Sequence, residues 1–195
     1  LMGSAALAPL AGCATTPGHD GDFDAVSAAW LAGAIKASPV TATQWGDHRF
    51  DGRLDDIGPA GQAERAALRR TTLQSLETVS RRIGLPAAAQ VDASLLRNEI
   101  MLGAWADETA QTFAWDPLIY TGQAGGSLYS LMAREFAPMR DRLRSATQRL
   151  AALPAYLEQA RANLEPGRTP RVHAETAVRQ NPGAISIISR RMMSV

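Results

Sequence analysis

The sequence predicts an all-α protein, an irregular bundle of several helices. Three observations lead there. From Phe23 onward the apolar residues recur at helical spacing, no segment alternates with period two for long enough to make a strand, and Asp, Pro and Gly fall where helices start and stop. With 195 residues, 46% of them apolar and 20% charged, the chain can bury one core and is too short for two comfortable domains.

Asp22 or Asp24 can cap a first helix through Lys36, with Phe23, Val26, Trp30 and Ala34 along one side and Pro39 past its end. Thr41 to Gly58, rich in Gly and Asp, reads as a loop. Pro59 opens a second helix whose stripe is Leu68, Thr72, Leu76, Val79 and Ile83, and Gly84 stops it. A third follows Pro86 and carries Val91, Leu95, Leu102 and Trp105, widened by Leu96 and Ile100, as a face expected to be well buried. Asp116-Pro117 caps a short turn over Leu118 to Tyr120, and Gly122, Gly125 and Gly126 mark a loop beyond it. A run with Leu128, Leu131, Met132 and Phe136 meets Pro138, which kinks it or starts a new helix bearing Met139, Leu143, Ala146 and Leu150. Pro154 opens another through Tyr156, Leu157, Ala160 and Leu164. Thr169-Pro170 leads a last helix through Val172 and Val178 to a turn at Asn181-Pro182-Gly183.

The two ends carry a different signal. Residues 1–12 are small, apolar and uncharged, too short for the roughly 20 residues of a membrane-spanning helix but suited to an export signal. Leu10-Ala11-Gly12-Cys13 resembles a bacterial lipobox, which makes Cys13, the single cysteine, the expected lipid attachment site. Residues 13–22 then form a flexible tether and residues 23–188 the helical region. Ala14, rather than Asp, follows the cysteine and points to the outer membrane, facing the periplasm, in preference to the inner one. Leu1 in place of Met, the lack of a basic segment before the leader, and the abrupt tail at residues 189–195 lead us to expect a truncated product.

Charge and motifs narrow the chemistry. Twenty basic side chains face 19 acidic ones without a basic stripe, which argues against nucleic acid as a partner. Three histidines, His19, His48 and His173, are too few for an evident zinc site, and His173 and Glu175 point about 200° apart on a helix, as on a solvated face. Asp47, Asp51, Asp55 and Asp56 do not follow calcium-loop order and read as helix caps and partners of Arg49 and Arg53. Ser127 lacks a nucleophile-elbow context. The segment Trp115 to Tyr120 reads as core packing plus a cap, with a cleft wall as the other possibility. No catalytic residue, metal ligand or cofactor-binding residue is assigned within the chain.

Several short pieces in order carry a family resemblance: Ala42-Thr43, Gly46, His48, Asp51, Leu54-Asp55, Asp116-Pro117, Tyr120, Arg149-Leu150, Leu153-Pro154, Leu157, Ala160, Asn163-Leu164 and Thr169-Pro170. Together they resemble the N-terminal part of the bacterial domain-of-unknown-function family 885, over about Phe23 to Ile188. The resemblance implies a larger, mostly helical protein, often exported or lipid-anchored and similar to zincin-type metallopeptidases. Its zinc-binding His-Glu and Pro-Gly-His would lie far downstream, so none of those ligands maps onto this chain. It further implies an inactive helical front portion of an envelope zinc peptidase, with zinc in the full-length protein, a peptide substrate, the missing C-terminal region as partner, and the membrane reached through Cys13. The rival reading is a complete, non-enzymatic helical lipoprotein that binds an envelope partner.

Overall fold

The computed structural model describes residues 20–83 and 85–192; Cys13, the leader, most of the tether and Gly84 lie outside the described residues. The helices are α1 (Asp20–Ala37), α2 (Pro39–Trp45), α3 (Pro59–Ile83), α4 (Ala87–Trp105), α5 (Thr112–Trp115), α6 (Pro117–Ala133), α7 (Met139–Asn163) and α8 (Arg171–Met192). Ala106–Ala110 is a π-helical turn, and no strand occurs among the described residues, so the fold is all-α.

Two helical layers result. In the first, α1 lays Phe23, Val26 and Trp30 against α3 and α4, where Leu76, Ala93 and Ile100 close an apolar core. In the second, α6 packs against both α7 and α8, burying Leu128, Leu131, Met132 and Ala146. The short α2 touches α1 and α6 and so bridges the layers.

That bridge replaces the first part of the expected loop over Thr41 to Gly58. Pro39 occupies the first turn of α2, and the cap of that turn is long-range: the Asp55 carboxylate accepts the Val40 N–H at 3.0 Å. Gly46 ends α2 at φ +91°, a left-handed conformation that costs glycine little, with the Asp47 N–H returning to the Ala42 carbonyl at 2.9 Å. Gly61 is needed for a different reason, because a Cβ there would sit 2.0 Å from the Asp56 carbonyl oxygen.

Five further expectations are corrected. α4 buries Ala89, Ala93 and Ile100, while Val91, Leu95, Leu102 and Trp105 are 60%, 62%, 61% and 55% exposed. Both stripes have helical period, and the small alanines allow the closer approach to α3. The glycines at 122, 125 and 126 do not form a loop, since α6 runs through them from an Asp116 cap and Pro117. Tyr120, Ser127, Leu128 and Leu131 are buried along α6, and that burial outweighs a glycine penalty of about 1 kcal/mol per residue. Pro154 does not start a helix but lies within α7, and Pro182 lies within α8, where a turn was expected. The buried stripe of α7 is also displaced: it is Arg142, Ala146, Arg149, Tyr156 and Ala160. Pro138 does separate two helices, and Arg142 takes up carbonyls left open there, Ala137 and Arg134, each at 2.9 Å.

The phase of α4 gives a direct test. Ile100→Ala should lower unfolding free energy by about 2–5 kcal/mol, whereas Leu95→Gln should change it by less than about 0.5 kcal/mol. Urea denaturation followed by far-UV circular dichroism measures both, and a large loss at Leu95 would mean that the opposite face is buried.

Candidate functional site

The chemistry-bearing side chains gather where α2, the segment after it, α6 and α7 meet. Arg149 of α7 is fully buried there. Its guanidinium donates to the carbonyls of Ser127 at 2.6 Å and Arg53 at 2.9 Å, and to the Thr43 hydroxyl at 2.6 Å. Thr43 in turn donates to Asp51 at 2.7 Å, and the Asp51 carboxylate holds His48 Nδ1 at 3.0 Å. The His48 ring stacks on Phe136 with centroids 3.6 Å apart. Asp55 caps α2 and accepts from Gln123, whose carbonyl oxygen accepts from the Tyr156 hydroxyl at 2.8 Å.

Burial sets the electrostatics of this cluster. It pushes Arg149 down to about 10, opposed by the fields of Asp51 and Asp55. It raises the Asp55 carboxyl above 3.8, with the Val40 N–H acting against the rise. Tyr156 is raised as well, first by burial and then by the Asp55 charge. The Arg149 guanidinium, the Thr43 hydroxyl and the Tyr156 hydroxyl each meet an acceptor, and these bonds hold α2, α6 and α7 together. Of the residues that carry the family resemblance, Arg149 thus bonds Thr43 directly and Asp51 through it, while the Asp55 carboxylate acts on it by its field. The α7 stripe held a readable sign of it, because Arg142 and Arg149 stand among Ala146, Tyr156 and Ala160 at helical spacing.

The other candidates fall out as follows. Asp47 pairs with Arg49 at 2.7 Å and is held below the ordinary carboxylate range, chiefly by that side-chain hydrogen bond. Asp56 caps the Gly58 N–H at 2.9 Å, and Arg53, expected to pair with a carboxylate, lies over the Phe50 ring instead. Ser127 is buried and donates to the Ala124 carbonyl at 2.7 Å. His173 is not on a solvated face: it is half-buried, meets Asp116 at 2.9 Å and packs edge-on to Trp115. Asp116 also caps α6 through the Leu118 N–H at 3.0 Å, which joins α6 to α8.

Zinc, which the resemblance implies for a full-length protein, does not fit the residues described. Among them no three His, Cys, Asp or Glu side chains converge, and His48–Asp51 and His173–Asp116 are separate pairs. Among the concave features of the described residues is an open groove of about 590 Å³ between α6, α7 and α8, larger than a second one of about 410 Å³ between α1, α2 and α3. Pro117, Tyr120, Leu157, Ala160, Leu164 and Val178 make the larger groove predominantly apolar, with Arg161 as the charged contributor. Its chemistry suits apolar side chains of a helix or peptide. The segment Trp115 to Tyr120 therefore supplies both core and groove wall.

Two outcomes test the buried cluster. Arg149→Met removes the hydrogen bonds to the Arg53 and Ser127 carbonyls and to the Thr43 hydroxyl and should cost about 3–6 kcal/mol in urea denaturation, with Arg149→Lys recovering only part. For Asp55 the folded carboxyl titrates above the unfolded one, so its proton stabilises the fold below the unfolded pKa and that contribution is lost as pH rises through the folded pKa. Relative to Asp55→Asn, the wild type should therefore lose stability as pH rises above about 4, the ordinary carboxyl value. Parallel pH curves for the two proteins would refute the assignment.

No curated protein matches the chain. A solved structure from Shewanella oneidensis, of a candidate lipoprotein of unknown function, superposes at a TM-score of 0.80 with 30% identity and covers 88% of this chain. The chain spans 31% of the length of that protein. Residues 39–192 match the family described as "Bacterial protein of unknown function (DUF885)". That match takes in α2 through α8 with the whole Arg149 network, and the chain belongs to this bacterial family.

Proposed function

We propose that the chain is the helical front portion of a lipid-anchored protein of the bacterial cell envelope, one that resembles a zinc metallopeptidase and has its catalytic region outside these residues. The observation that carries this reading is the likeness to a candidate lipoprotein over 88% of this chain but 31% of that one. The cluster Leu10-Ala11-Gly12-Cys13 supports the anchor, and Ala14 favours the outer membrane. Within such a protein the helices described here act as scaffold, and their apolar groove helps to wall the substrate cleft. The zinc ligands belong to the remaining polypeptide, since the described residues bring together no group of three.

Two measurements test it. Labelled palmitate fed to a Gram-negative host should enter the protein and be lost in Cys13→Ala; unchanged labelling refutes the anchor. Metal analysis and peptidase assays should find zinc and turnover only in a product extended beyond residue 195. Activity in the short chain, or none in either, refutes the peptidase reading, and the second result favours an envelope binding module.

A further inference from the structure

We infer that the groove between α6, α7 and α8 seats an amphipathic helix supplied by the polypeptide that follows residue 195. The inference rests on the reading of this chain as part of a longer protein. Leu157 and Val178 on the groove are 47% and 68% exposed, although Tyr120, Ala160 and Ala177 beside them are buried. Such a surface gains free energy when an apolar partner covers it.

The occupant follows from length and attachment. The solved relative shares this fold at a TM-score of 0.80, yet the chain accounts for only 31% of it, so in that protein a large further body of polypeptide has to lie somewhere. α8 forms one wall of the groove as far as Asn181 and continues to Met192, about 16 Å along its axis. Residues joined after α8 therefore start near the groove, at an effective concentration on the order of millimolar. A second copy of the chain competes poorly at lower concentrations. The groove suits the apolar face of one helix, with anchors spaced three and four residues apart, and Arg161 favours an acidic flank on that helix.

The test is cysteine accessibility in a Cys13→Ala background. Leu157→Cys and Val178→Cys are compared with Thr78→Cys, on the exposed side of α3. In the product extended past residue 195, maleimide should label the two groove positions at least about tenfold more slowly than the reference. In the 195-residue chain the three should react at similar rates. Equal labelling in the extended product overturns the inference, as does protection in the short chain that grows with its concentration, which would identify a second copy as the occupant. Protection in an extended product that lacks zinc and turnover supports the groove and sinks only the peptidase reading. A gene with no continuation sinks both.

Discussion

The fully buried guanidinium of Arg149 is the joint on which this arrangement of helices depends. Arg149 has no exposed surface, and moving a guanidinium out of water is tolerable only where fixed dipoles replace the lost hydration. The carbonyls of Arg53 and Ser127 and the Thr43 hydroxyl supply them, and they come from the segment after α2, from α6 and from α2 itself. Satisfying the charge thus requires those elements to stand together around α7. The carboxylates of Asp51 and Asp55 act at slightly longer range, limiting the fall in the Arg149 pKa without touching it in a direct ion pair.

This joint lies beside a third apolar cluster, in which Ile57 of the segment after α2 packs with Tyr120 of α6 and with Tyr156 and Ala160 of α7. The core of α1, α3 and α4 and the core of α6 and α7 are separate apolar clusters, and the hydrogen-bonded hub connects them through α2. Asp55 shows the economy of the arrangement. One carboxylate caps α2 and receives Gln123, whose other end receives Tyr156. Two apolar surfaces remain exposed, the groove of α6, α7 and α8 and the outward stripe of α4.

Much of the candidate site was readable in part. The carboxylates of residues 47–56 were recognisable as caps and pairing groups, because short Asp side chains beside Gly and Arg favour local hydrogen bonds. Asp116-Pro117 announced a helix start in the same local way. The hub was harder to see. Arg149 reaches residues about a hundred positions earlier, and nothing in the spacing of Thr43 or Asp55 indicates which distant donor will meet it. His173 illustrates the same limit, since its partner Asp116 belongs to another helix.

Helical period and end signals were enough to establish an all-α chain and to place α1, α3 and the starts of α4 and α6, because hydrophobic spacing and caps are local properties. Phase and continuity were settled by packing. α4 has two apolar stripes of equal period, and contact with α1 and α3 selected the one with small residues. Glycines in α6 and prolines in α7 and α8 read as breaks, yet their cost of a few kcal/mol is smaller than the gain from burying whole helical faces. Period belongs to a segment, whereas the choice of face depends on neighbours that the segment does not contain.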